Sequence, residues 1–130
     1  MKKSSSLEDY MKCILVLSKK NGTVRSVDVA ENMGITKPSV SNAMKKLREQ
    51  GMIRVGDEGN IILTEEGRVI AEKVYGKHSL LSKLLRTVGV NKDTADREAC
   101  AMEHAISDDT FECLEEYMNK SMQTRVEEDL

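Results

Sequence analysis

Tryptophan is absent from this chain of 130 residues, phenylalanine occurs once (Phe111) and proline once (Pro38). So few aromatics exclude a core built on ring packing, and so little proline imposes few breaks. Leu, Ile, Val and Met are left to fill an interior, a mixture that favours helices. No apolar run approaches the roughly 20 residues needed to span a bilayer, so no membrane partner is expected. The opening Met1-Lys2-Lys3-Ser4-Ser5-Ser6 is basic but lacks the apolar stretch of a secretory signal, and the cytoplasm is the expected location. Cysteines are few and odd in number: Cys13, Cys100 and Cys113 show no short-range pairing pattern. They are expected as thiols or ligands rather than disulfides. Cys13 and Cys113 sit among apolar neighbours at helical spacing and are expected to be small buried residues.

Charge is present in both signs, with a formal net of −2, but unevenly placed. Residues 1–55 hold eleven Lys/Arg against five acids, whereas the remainder holds nine against seventeen. A basic half beside an acidic half suits a DNA-facing module joined to a cation-facing one. Chance clustering on solvated helix faces would give the same tally.

Hydrophobic spacing predicts a mainly α chain. A helix runs from Leu7 to Lys20, with Ser6 and Asp9 resembling a capped start and Ile14, Leu17, Met11 and Val16 supplying its apolar stripe. Asn21-Gly22 ends it. A short helix from Ser26 to Met33 has Ser26 as its cap and Val27, Ala30 and Met33 on one face, and Gly34 terminates it. Lys37-Pro38 opens the next helix, where the missing N–H of proline costs nothing. That helix reaches Gln50 with Val40, Ala43, Met44 and Leu47 inward. Ile53–Val55 and Ile61–Leu63 read as a hairpin around the polar turn 56–60. Thr64 and Gly67 open a long helix that ends near Gly89, Asn91 caps another to Ala105, and Ser107 caps a last one that loses its pattern from about Lys120 and is expected to fray there. The division expected is a winged helix-turn-helix domain over 1–66, followed by a helical dimerisation and metal-binding domain over 67–130.

Helix, short helix, Gly-turn, helix and hairpin, in that order, make a winged helix-turn-helix. In such a motif the second helix lies in the major groove, with its N-terminal residues near base edges. Thr36, Ser39, Ser41 and Asn42 are the short polar side chains there. Asn pairs with adenine, and Ser and Thr take base edges or phosphates. Lys37, beside Pro38, and Lys45, Lys46 and Arg54 would take the phosphate backbone. Double-stranded DNA is the expected partner, and a winged helix used for protein contacts is the alternative.

Cys100-Ala101-Met102-Glu103-His104 is the second constellation. Positions i, i+3 and i+4 share a helix face, so a thiol, a carboxylate and an imidazole stand side by side. Thiolate and imidazole select against Mg²⁺ and Ca²⁺, while the carboxylate suits Fe²⁺ or Mn²⁺. The only other histidine is His78, also in the acidic half. A structural polar cluster remains an alternative. Catalysis by Cys100 and His104 as nucleophile and base lacks any oxyanion motif or substrate-cradling loop, so neither an enzyme nor a small organic substrate is expected. The stripe Phe111, Leu114, Tyr117 and Met118, with Leu80, Leu81, Leu84 and Leu85, would leave a large apolar patch on a monomer, so a homodimer is expected.

Several segments together resemble the diphtheria-toxin-repressor-like, iron- and manganese-dependent transcriptional repressors. They are Leu7-Glu8-Asp9-Tyr10, Val29-Ala30-Glu31, Lys37-Pro38-Ser39-Val40-Ser41, Leu63-Thr64-Glu65-Glu66-Gly67, Lys77-His78, and Glu98-Ala99-Cys100 with Glu103-His104 and Ser107-Asp108. The resemblance spans roughly residues 6 to 120. It implies an N-terminal DNA-binding domain and a helical domain that dimerises and holds metal, with Fe²⁺ or Mn²⁺ as co-repressor. Other divalent ions such as Co²⁺, Ni²⁺ or Zn²⁺ would substitute in vitro. It implies the metal set Asp9, His78, Cys100, Glu103 and His104, in which Asp9 ties the first helix to the sensing part. It further implies occupancy of an operator before metal-homeostasis genes, in the shorter, manganese-type architecture.

Two departures stand out. Lys12 and Cys100 stand where manganese-type relatives have carboxylates. Cys100 is the iron-type choice, which tilts the expectation toward Fe²⁺. Lys12, one turn after Asp9, would replace a second cation by its own charge, which argues against a two-metal cluster. Ser82 and Asp96 stand where iron-type relatives complete an ancillary site with Glu and His, so that site is expected to be incomplete. The runner-up is a winged-helix regulator that Lys12 has made indifferent to metal.

Overall fold

The structure, a computed structural model, describes the chain over residues 7–129, and side chains over residues 7–121. The elements are α1 (Leu7–Asn21), α2 (Ser26–Met33), α3 (Lys37–Glu49), β1 (Ile53–Val55), β2 (Ile61–Leu63), α4 (Glu65–Thr87), α5 (Lys92–Ala105) and α6 (Asp108–Asp129). The chain divides into two compact units, up to Tyr75 and from Gly76 onward.

In the first unit α1 is buried over a broad arc. Tyr10, Met11, Cys13, Ile14, Leu15 and Leu17 all lie inside. Val16, expected in the stripe, is 37% exposed because it lies on the remaining side of the helix. Burial pushes the Cys13 thiol up to about 11. Ser6, expected to cap this helix, lies outside the described residues.

The cap of α2 differs from expectation. Ser26 is its first helical residue, and the Asp28 carboxylate accepts the Arg25 backbone N–H at 2.9 Å. Its inner face is also set differently. Val29 and Ala30 are buried, while Val27, in the first turn, is 41% exposed. Gly34 closes the helix with φ of 67°, and Ile35 N–H returns to the Ala30 carbonyl at 3.1 Å. This left-handed closure suits glycine because it has no Cβ to clash.

Val40, Ala43, Met44 and Leu47 turn the inner face of α3 toward this core. The wing is an antiparallel pair with Ile53 opposite Leu63, Arg54 opposite Ile62 and Val55 opposite Ile61. Ile61 N–H donates to the Val24 carbonyl at 2.7 Å, which fastens the wing to the loop after α1. Thr64 joins wing and helix: its hydroxyl donates to the Gly51 carbonyl at 2.7 Å and accepts Gly67 N–H at 3.1 Å. Gly67 is buried, and a Cβ there would collide with the Met52 carbonyl oxygen.

In the second unit, Gly89 and a Val90 N–H to Leu85 carbonyl bond of 2.9 Å end α4. Asn91 then caps α5 by accepting Thr94 N–H at 3.0 Å. Ser107 caps α6 by accepting Thr110 N–H at 3.1 Å. Leu81, Ala95 and Ala99 are fully buried. Two expectations fail on α6. The helix persists to Asp129 rather than fraying from Lys120, since that stretch contains neither Gly nor Pro to break it. Cys113 is exposed. It is four residues from the 66%-exposed Tyr117, and so shares its face rather than that of buried Met118.

Gly67→Ala tests how the wing meets α4. Alanine's helical preference adds about 1 kcal/mol, but the Met52 carbonyl is backbone and cannot rotate away. A net loss of about 1–3 kcal/mol in urea unfolding is expected; an unchanged midpoint would show that the close approach is not rigid.

Candidate metal centre

Two helices supply the donors of one cluster within the second unit. His78 comes from α4, where Gly76 two residues earlier adds no side chain. Cys100 and Glu103 come from α5, one turn apart on one face. Their ligating atoms all lie within 4.8 Å of one another. His78 Nδ1 is 3.6 Å from Cys100 Sγ and 3.4 Å from Glu103 Oε2. The Glu103 side chain is only 1% exposed and also meets His104, whose Nε2 is 3.7 Å from Oε1. His104 itself is exposed, and Cys100 is partly so.

These separations can be tested against a metal. Donors at roughly 2.1–2.3 Å from one tetrahedral ion stand about 3.4–3.8 Å apart. Both distances to His78 Nδ1 fall in that range. The chemistry agrees: a buried carboxylate costs several kcal/mol without a compensating cation, and the thiol and imidazole add the softer donors that transition metals prefer. The cluster therefore fits a divalent transition metal.

Asp9 lies half-buried on α1 in the first unit, with Lys12 Nζ 4.0 Å from its Oδ1. Ser82 and Asp96 are bonded to each other, Ser82 Oγ donating to Asp96 Oδ1 at 2.6 Å, and Lys92 Nζ lies 3.1 Å from Asp96 Oδ2. The two residues satisfy one another there, a pairing that the sequence reading missed. The signals for it were their shared place at the incomplete ancillary site and the four-residue spacing of 78 with 82 and of 96 with 100.

Among the residues expected at DNA, Lys37, Pro38, Ser39, Ser41, Asn42, Lys45 and Lys46 are all exposed on α3. Thr36 caps that helix: it accepts Ser39 N–H at 3.3 Å and donates to Ser39 Oγ at 2.9 Å. Its hydroxyl and that of Ser39 thus shape the helix start. Ser41 and Lys45 also line an open hollow with Ser26, Met44, Arg48, Glu49 and Val55, a grouping that the sequence reading did not anticipate. Of the residues expected to dimerise, Leu80, Leu84, Phe111 and Leu114 are half-buried and Tyr117 is exposed. Met118 is buried inside its own chain. Lys77 Nζ reaches Asp108 Oδ1 at 2.8 Å and lies 5.9 Å from the centre of the Phe111 ring, holding the start of α6 to α4.

Residues 2–59 match the model of the iron dependent repressor N-terminal DNA binding domain, and residues 64–125 that of the iron dependent repressor metal binding and dimerisation domain. The chain belongs to the iron-dependent repressor family, whose members are transcriptional repressors and not enzymes. It is 30% identical over 114 residues to the transcriptional regulator MntR of Escherichia coli O6:H1, covering 88% of this chain and 74% of that one. It is 34% identical to an uncharacterized HTH-type transcriptional regulator of Methanocaldococcus jannaschii, covering 90% and 95%. The structure of the manganese regulator SloR aligns with a TM-score of 0.79 at 30% identity, covering 90% of this chain and 55% of that one. The chain thus spans about half the length of that solved structure.

Glu103→Gln tests the centre. It preserves shape and removes the buried charge, so metal affinity should fall by more than the roughly 10–100-fold that an outer-shell change costs. Bound metal should also slow alkylation of Cys100 while leaving Cys113 reactive. Undiminished affinity in calorimetry would remove Glu103 from the site, and equal labelling of both cysteines with metal present would remove Cys100.

Proposed function

We propose that this chain is a cytoplasmic, metal-responsive transcriptional repressor that binds operator DNA of metal-homeostasis genes as a homodimer, with Fe²⁺ or Mn²⁺ as co-repressor. The observation that carries this reading is the His78–Cys100–Glu103 cluster in a chain whose other unit is a winged helix-turn-helix. The cation would be held by His78, Cys100, Glu103 and His104, with Asp9 joining from α1. When bound, it would supply positive charge and a fixed geometry, with the Cys100 thiol releasing its proton to solvent on becoming a ligand. Thiolate and imidazole donors favour Fe²⁺ over Mn²⁺. Lys12, beside Asp9, takes the place of a second ion, so one metal per chain is the expected stoichiometry.

The regulation is linkage. A cation that binds the DNA-competent arrangement more tightly than the alternatives shifts the population toward it, and DNA must tighten metal binding by the same factor. Asp9 gives that coupling a route, because it stands on the helix that also forms the core of the DNA-binding unit. In the groove, Asn42 and Ser41 read base edges, while Lys37, Lys45, Lys46 and Arg48 meet phosphates. Family membership favours this reading over a regulator indifferent to metal.

Two outcomes are expected in gel shifts on an operator selected from random DNA. Fe²⁺ or Mn²⁺ in reducing buffer should tighten binding by roughly 5–150-fold over chelator, and equal binding in both would abolish the co-repressor role. Lys45→Ala should lower the steepness of the salt dependence by about one phosphate contact, whereas Asn42→Ala should cost about 1–3 kcal/mol selectively on the preferred sequence. A uniform loss across sequences for Asn42→Ala would place it on the backbone instead.

A further inference from the structure

Helices α4 and α5 meet through two rows of polar side chains. On α4, His78 and Ser82 are four residues apart. On α5, Asp96, Cys100 and Glu103 follow at spacings of four and three, so each set shares a face. The contacts join these faces as successive rungs. Ser82 Oγ donates to Asp96 Oδ1 at 2.6 Å, and one turn along, His78 Nδ1 lies 3.6 Å from Cys100 Sγ and 3.4 Å from Glu103 Oε2. A step of four backward on α4 matches a step of four forward on α5. The helices are therefore antiparallel at this point, and one axial offset sets both rungs. A slip of a single turn would carry His78 about 5.4 Å from its partners, too far to share an ion.

We propose that the Ser82–Asp96 hydrogen bond positions the metal centre, by fixing the offset of α5 against α4 at which His78 meets Cys100 and Glu103. This rests on reading that cluster as the metal site. Ala95 and Ala99 on the inner side of α5 are fully buried, but side chains this small form shallow ridges that constrain sliding only weakly. The directional bond supplies the missing constraint. Ser82 is only 3% exposed, so water competes little for its hydroxyl. The bond is as short as a hydroxyl–carboxylate bond with a charged acceptor should be. The Ser82 hydrogen bond first, and Lys92 second, hold the Asp96 carboxyl below the usual range, which keeps the acceptor charged. The Lys92 pair is largely exposed and adds little of its own. Ser82 and Asp96 touch no ion in this scheme; they act through His78 and Cys100.

The full chain with Co²⁺ as probe tests this, since cobalt reports both affinity and coordination. Ser82→Ala and Asp96→Ala each remove one end of the bond, while Asp96→Asn keeps an acceptor oxygen. Removing either end should weaken Co²⁺ binding about 10–100-fold. It should also shift the d–d bands and the sulfur-to-cobalt charge-transfer band of the bound ion, with circular dichroism unchanged. Asp96→Asn should stay near wild type, and the double variant Ser82→Ala/Asp96→Ala should lose no more than either single one. Asp96 is half-exposed, so Asp96→Ala carries the test should Ser82→Ala fail to fold. Wild-type affinity and spectrum in Asp96→Ala would overturn the positioning role and leave the metal reading standing. A wild-type chain that binds no Co²⁺ would overturn both.

Discussion

A carboxylate removed from water must find charge or hydrogen bonds, and in the second unit that demand falls on Glu103. Its side chain is almost wholly enclosed, with an imidazole near each oxygen and the Cys100 thiol one turn away. Isolated, such a group would cost several kcal/mol. The economical solution is a cation at the point where three donors converge. The rest of the unit follows from placing that carboxylate. Ala95 and Ala99 are fully buried on α5, and Gly89 with Asn91 ends one helix and starts the next, so that His78 can meet Cys100 and Glu103. Ser82 and Asp96 bond beside the cluster.

The first unit solves a different problem, which is to hold one polar helix face open to solvent on a rigid base. Helix α1 is buried over most of its circumference and serves as the platform for α2 and α3. Four apolar residues root α3 in that core, while Lys37, Ser41, Asn42, Lys45 and Lys46 stay outside. Thr36 and Ser39 spend their hydroxyls on the start of the helix, which fixes where its N-terminus points. Thr64 and Gly67 seat the wing against the next helix through contacts that a larger residue at 67 would destroy.

The proposed regulation joins these two designs through charge. A DNA-facing surface needs positive charge and a cation-binding one needs negative charge, and the chain keeps the two apart along its length. Lys12 beside Asp9 is the exception, a fixed cation near a carboxylate that the proposal assigns to the metal. In the proposed device Lys12 would stand in for a second ion.

Composition and spacing determined much of this protein unaided. The order of helices and hairpin, the turns at Gly34 and Gly89, the caps Asn91 and Ser107, and the grouping of Cys100, Glu103 and His104 on one face all follow from local rules, in which each residue acts on neighbours within about one turn. Local rules also failed in recognisable ways. Val16, Val27 and Cys113 are apolar or small and sit at helical spacing, yet they are exposed. Spacing identifies an apolar residue but not which side of its helix a neighbouring element covers. Ser26 looked like a cap, but the carboxylate of Asp28 took the role. Spacing alone could not bring His78 to Cys100 and Glu103 across more than twenty residues, which only the family resemblance implied; the tertiary structure supplied that meeting and joined Ser82 to Asp96. Such pairings depend on the axial offset between two helices, and that offset is decided by packing and by one directional bond, not by any property of either helix alone.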